Sequence, residues 1–327
     1  VTPSESSNPL LVDTPEPRAK RPGGLTPYWL TLLGFLILRL VVGKMALPPS
    51  ALGFANAVTT ALFIAIPTVA LFQVGKHHWK MAHAGIFVVF GVLAQIGFRA
   101  LAFGPFASSD WPASIAMALS QIGLIVWCTG VGAFLACLLK DKNLLLPISI
   151  FLAGFDVFLV FAPVGPTQVL MKALPDALPA IGLQVPKAGP AATVGPVQPF
   201  AFVGPADILF MAMFFIALYR FQMRPRETAI WLVPTVLVYL VVTAFVGAVP
   251  LLVPIGLCVL LVNRSSFQLN QEEKMSTALI TLIALALAVG AFLMPRRPAE
   301  SLPGDLAPEL QELANSPAQA APNQSQS

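Results

Sequence analysis

Nine long apolar runs dominate the chain and leave it few ways to fold. They cover approximately residues 27–47, 53–75, 81–103, 112–139, 144–163, 199–221, 228–248, 249–263 and 275–294. A helix needs about 20 apolar residues to cross a bilayer, and most of the runs meet that length. Inside hydrocarbon, every backbone N–H and C=O must find its partner within the protein. The predicted fold class is therefore all-α, a polytopic transmembrane helical bundle of about nine spans. Composition agrees: 57% of residues are hydrophobic and 10% charged, against roughly 25% charged in soluble domains. The eighth run is short and contains Pro250 and Pro254. Proline interrupts the helical hydrogen-bond ladder, so 249–256 is expected to be broken or partly unwound beside a cavity.

The flanks differ in character. Residues 1–26 are polar and proline-rich and read as a disordered leader. The apolar run that follows starts too late for a cleavable signal peptide. Residues 298–327 form a low-complexity tail with one short helix expected near Leu306–Leu313. Between the flanks, 27–139 reads as an N-terminal bundle of four spans, 140–263 as a membrane core, and 264–297 as an additional C-terminal span. The core contains a Pro/Gly/Ala-rich loop at 164–198, whose 173–184 stretch is apolar enough to lie at the interface.

Lysine and arginine placement predicts the orientation. One side collects twelve: Arg18, Lys20, Arg21, Lys76, Lys80, Lys140, Lys142, Arg220, Arg224, Arg226, Arg264 and Lys274. The other collects six: Lys44, Arg99, Lys172, Lys187, Arg296 and Arg297. The bias puts the N-terminus in the cytoplasm and loop 164–198 outside. Arg39 lies inside the first span, on neither side.

A net charge of +4 is too weak to suggest a nucleic-acid partner. Cys128, Cys137 and Cys258 all fall in apolar runs and read as small membrane-core residues. His77, His78 and His83 cluster with Lys76, Trp79 and Lys80; the lysines and tryptophan favour an anchor at the headgroups over a metal site. No Gly-rich phosphate loop, HExxH or Ser-nucleophile motif is present, and neither a metal nor a cofactor is expected.

Two aspartates stand out against this background. Asp156 and Asp207 are the only acidic residues well inside long apolar runs. A carboxylate at bilayer depth costs roughly 2.5–3.5 kcal/mol on insertion scales, so it calls for a use. Asp156 lies seven residues before Pro163 and Asp207 eight after Pro199. Taken as helix, these place the carboxylates about 10 and 12 Å below one surface, on consecutive antiparallel spans. Facing carboxylates can share a proton, one acting as acid while the other is a base. Such a pair titrates as a unit and can activate water against a peptide carbonyl. An equally open reading is a proton or cation relay in a transporter or channel. In a third, each carboxylate caps a discontinuous helix or pairs with a basic group, Arg39 being the one deep candidate.

The flanking residues resemble a known family. Phe155-Asp156-Val157-Phe158 is similar to the YD motif of the presenilin and signal peptide peptidase family, and Ala162-Pro163-Val164-Gly165-Pro166 resembles the continuation of that motif. Gly204-Pro205-Ala206-Asp207 resembles GxGD, followed by an apolar run ending Ile216-Ala217-Leu218-Tyr219-Arg220-Phe221. Val249-Pro250-Leu251-Leu252-Val253-Pro254 resembles the PAL region. The three motifs keep the family's order, each in its own apolar run, over about 143–263. The resemblance implies an intramembrane aspartyl protease acting on transmembrane peptides or proteins. It implies Asp156 and Asp207 as the catalytic pair, and a substrate-binding surface including Pro250, Leu251, Leu252, Phe155, Gly204 and Ala206. The chain departs from the pattern at Phe155 for tyrosine, Ala206 for glycine, and Leu251 in PLL for PAL. It also has four spans before the first motif where the family has five, and a further span at 275–294. A non-catalytic relative would carry the same three motifs. The twelve-to-six charge bias corresponds to the signal peptide peptidase orientation.

Overall fold

The computed structural model describes residues 24–42, 47–162, 182–186, 199–246 and 250–294. The predicted tail, most of the predicted leader, Pro163–Pro166, Val249 and most of loop 164–198 lie outside these residues. Of the stretch 173–184 expected at the interface, Leu183 and Gln184 are among the described residues and are buried in a strand instead.

Each apolar run contains one α-helix among the described residues. In chain order these are α1 (Thr26–Val42), α2 (Pro49–Val74), α3 (Met81–Phe103), α4 (Asp110–Leu138), α5 (Leu145–Phe161), α6 (Pro205–Arg220), α7 (Pro225–Val246), α8 (Leu252–Asn263) and α9 (Gln271–Leu293). Five of them, α2, α3, α4, α5 with its short 3-10 lead-in, and α9, are long and apolar enough to cross a membrane. The shorter α1 and α8 are also apolar. The protein is a predominantly helical, membrane-embedded bundle.

Two short strands complete it. β1 (Leu183–Pro186) and β2 (Pro199–Val203) pair antiparallel, with Leu183 opposite Val203 and Gln184 opposite Phe202. This changes the expected sixth span. Its first five residues are strand, and the helix begins only at Pro205, where proline suits the first helical position because its missing N–H has no intrahelical partner. The eighth run also differs from expectation. α8 is regular from Leu252 onward. Pro254, third in the helix, falls where the backbone N–H is unpaired in any helix, so it does not break α8. Among the described residues, the non-helical part of this segment is Pro250 and Leu251.

Small residues set the packing, as lipid-immersed helices require for close contact. Gly130 of α4 lies against the backbone of Val88 in α3, Gly132 against Leu209 and Ala212 in α6, and Gly154 of α5 against Ala284 in α9. α4 is the hub, packing on α3, α6 and α1, while α5 packs on α8 and α9. α8 touches both α5 and α6 and bridges the two halves. α5 and α9 run parallel. Asn143 donates to the Gln268 carbonyl and to Glu273 at one end, and the Phe161 and Phe292 rings meet at 5.1 Å at the other. Phe214 and Phe215 of α6 and Leu124 and Ile125 of α4 are fully buried in the core between them.

Trp79, predicted as a headgroup anchor, is instead 8% exposed. Its Nε1 donates to the Val74 carbonyl at the end of α2, and its ring packs edge-on against Phe87. An indole with its N–H satisfied can be buried.

Candidate active site

The two aspartates lie on different helices within electrostatic reach of each other, and each carboxylate is held by a backbone amide. Asp156 sits in the later turns of α5. Its Oδ2 accepts a hydrogen bond of 2.8 Å from the N–H of Leu252, the first residue of α8. That N–H is free because the first four amides of a helix have no partner within it. Asp207 is the third residue of α6. Its Oδ2 folds back to accept from the N–H of Gly204 at 3.2 Å. Both carboxylates thus sit at helix N-termini, where the aligned peptide dipoles favour negative charge. They are close enough for their charges to interact. No basic side chain of a described residue lies within salt-bridge distance of either; the ion pair among the described residues is Arg224–Glu227, at 3.7 Å.

Gly204 has an unremarkable extended backbone, φ −63° and ψ 146°. Its role is spatial. A Cβ at this position would lie 3.0 Å from the Asp207 Oδ2, so any larger residue here obliges the carboxylate to shift by a few tenths of an ångström. Ala206 beside it is exposed. Phe155 stacks on Phe151 one turn earlier in α5, with ring centroids 5.7 Å apart and planes within 10°. Pro250 and Leu252 are buried, and Leu251 packs partly buried against the core.

Asp207 lies at the very start of its helix, not two turns down a continuous span. The depth of about 12 Å expected for it assumed helical rise across residues that are strand. The two carboxylates nevertheless lie within electrostatic reach of each other, with α8 touching both α5 and α6. Arg39 does not partner either of them. Its Nη1 donates to the Gln184 carbonyl in β1 at 2.6 Å.

Further residues surround the two aspartates and β1. Gln121 of α4 accepts from the Gln184 N–H at 2.9 Å, so side chains from α1 and α4 take both backbone groups of Gln184. In an antiparallel pair a residue turns both groups toward its partner strand or both away. Gln184 therefore turns away from β2, and the opposed Phe202 turns its N–H and C=O outward from the other edge. Tyr239 of α7 donates its hydroxyl to the Pro250 carbonyl at 2.7 Å and lies within electrostatic reach of both aspartates. Cys128 of α4 contacts the Pro205 carbonyl through its thiol, at 3.4 Å. Gln121 and Arg39 carried a usable signal, as polar groups within long apolar runs. Tyr239 and Cys128 carried none, since both are ordinary in such runs.

The chain matches no protein-family profile, no curated sequence and no solved structure.

Proposed function

We propose that this protein is an intramembrane aspartyl protease of the presenilin and signal peptide peptidase type, with nine spans and a cytoplasmic N-terminus. The observation that carries the reading is the meeting of Asp156 and Asp207. Two carboxylates from separate helices lie within electrostatic reach of each other, each oriented by one backbone amide through a single oxygen. The second oxygen of each is left for water or substrate. Two interacting carboxylates resist ionising together, so one holds a proton while the other acts as base. The base takes a proton from water as the water attacks the scissile carbonyl. The acid protonates the carbonyl oxygen, forming a gem-diol without a covalent enzyme intermediate.

A transmembrane substrate must first unwind, because its carbonyls are locked in helical hydrogen bonds. The outward edge of β2, at Phe202, offers an N–H and a C=O to an extended segment, in the manner of strand addition. It lies five residues before Asp207. Pro250, Leu251 and Leu252 would line the opposite side, with Phe155, Gly204 and Ala206 near the aspartates. Tyr239 supplies a phenolic hydroxyl near the pair, where Phe155 lacks the one found in the family motif.

The test is cleavage of a reporter transmembrane peptide by the purified, reconstituted protein, with Asp156→Ala and Asp207→Ala alongside. Loss of cleavage in both variants is expected. Cleavage that survives either substitution removes the dyad. Aspartate-dependent proton uptake into liposomes, with no cleavage by the parent, would assign the pair to a transport relay. Labelling of loop 164–198 with membrane-impermeant reagents checks the orientation: the loop should react from the non-cytoplasmic side.

A further inference from the structure

A cleft of about 850 Å³ opens between α7 and α8. Its lining is polarised along its length. Arg224, Glu227, Arg264 and Ser265 form one end, where α7 begins and α8 finishes. Trp231, Leu257 and Leu261 continue from there, and Pro254, near the start of α8, lines the other end. From Arg264 to Pro254 is ten residues of helix, about 15 Å, half the roughly 30 Å of a bilayer's hydrocarbon. The groove is therefore about one leaflet deep, charged at the surface and apolar below.

The charged end is built rather than accidental. Asn263, fully buried, bolts the two helices together there. Its Oδ1 accepts from the Arg224 N–H at 2.9 Å, and its Nδ2 donates to Thr228 Oγ1 and the Val259 carbonyl, each at 2.9 Å. This holds Arg224 and Arg264, the neighbour of Asn263, at one mouth. Glu227 approaches Arg224 through Nε at 3.7 Å, leaving the other guanidinium N–H groups of Arg224 and all those of Arg264 directed to solvent or a ligand. Guanidinium groups match phosphate geometry closely. Basic pockets between membrane helices are suited to anionic headgroups.

We propose that this cleft binds an anionic phospholipid, its phosphate at Arg224 and Arg264 and one acyl chain lying along Trp231, Leu257 and Leu261 toward Pro254. The claim is independent of the protease reading.

The test uses the full-length protein, purified and delipidated in detergent, then offered phosphatidylglycerol or phosphatidylcholine with identical acyl chains. Lipid retention is read by native mass spectrometry. One phosphatidylglycerol per protein is expected, with at least a tenfold preference over phosphatidylcholine. Arg224→Gln/Arg264→Gln should lower its retention about tenfold, whereas Arg226→Gln, outside the cleft, should leave it unchanged. If the double variant does not fold, Leu257→Trp, which fills the groove and leaves the arginines in place, should lower retention as well. Equal retention of phosphatidylcholine overturns the proposal, as does undiminished retention in the double variant or, where that variant does not fold, in Leu257→Trp. Displacement of the lipid by millimolar inorganic phosphate would reveal a free-anion site and overturn it too.

Discussion

The two aspartates are held by the same kind of bond, made in opposite ways. Asp207 takes its amide from Gly204, three residues earlier, so the anchor belongs to one local turn. Asp156 takes its amide from Leu252, 96 residues later, so its anchor exists only when α5 and α8 pack. One half of the site is a property of a short segment and the other a property of the whole bundle. The Asp207 half should respond to single changes in its own segment. The Asp156 half should respond to changes anywhere along the contact between α5, α7 and α8.

The largest effect is expected from Asp156→Asn and Asp207→Asn. Each asparagine can still accept the amide hydrogen bond but cannot exchange a proton, so the fold should persist while cleavage falls by about 10²–10⁴. Matching circular dichroism and thermal midpoints, beside lost turnover, would show that the pair acts chemically in both halves. Gly204→Ala attacks the local half alone. Its new Cβ would crowd the Asp207 carboxylate by a few tenths of an ångström. That is less than the roughly 1 Å misplacement that costs about 100-fold, so a fall of about tenfold in kcat is expected. KM should move little; unchanged kcat would mean the carboxylate has another resting place.

Arg39→Met tests how β1 is secured. Losing a charged donor to the Gln184 carbonyl should cost about 1–3 kcal/mol, read as a lower thermal midpoint in detergent. Cleavage should fall less than in Gly204→Ala, because Gln121 still holds the strand. Tyr239→Phe probes the distant half most gently. Removing one hydrogen bond to Pro250 costs about 0.5–1.5 kcal/mol and loosens the turn that presents Leu252. A drop in turnover of a few-fold is expected. A drop as large as that of Asp156→Asn would give the hydroxyl a direct chemical role.

The helices were legible because length and apolarity alone require them, and each predicted run contains one. The aspartates were legible as misfits in those runs. The strand at Pro199–Val203 was not. Pro-Phe-Ala-Phe-Val continues directly into the apolar helix, and a short apolar run does not distinguish strand from helix by its period. That one segment misplaced Asp207 by assuming helical rise through it. The capping bond to Gly204 is local and was foreseeable in kind, as a carboxylate at the start of a discontinuous helix. The partners of Asp156 and Arg39 depend on which helices become neighbours, and no spacing in the chain encodes that. Pro254 misled in the other direction: proline breaks a helix from the interior, but not from its first turn.

The long reach of the Leu252 bond also places the protein's maturation in time. Synthesis proceeds at about 5–20 residues per second, so roughly 5–20 seconds separate the making of Asp156 from the making of the amide that orients it. Gly204 and Asp207 are made about midway through that interval, so for the rest of it one carboxylate has its amide while the other has no fixed direction. The Asp156 half of the site is therefore unassembled until the eighth helix has been made and packed, and a ribosome stalled before Leu252 carries a chain whose Asp156 carboxylate lacks its amide.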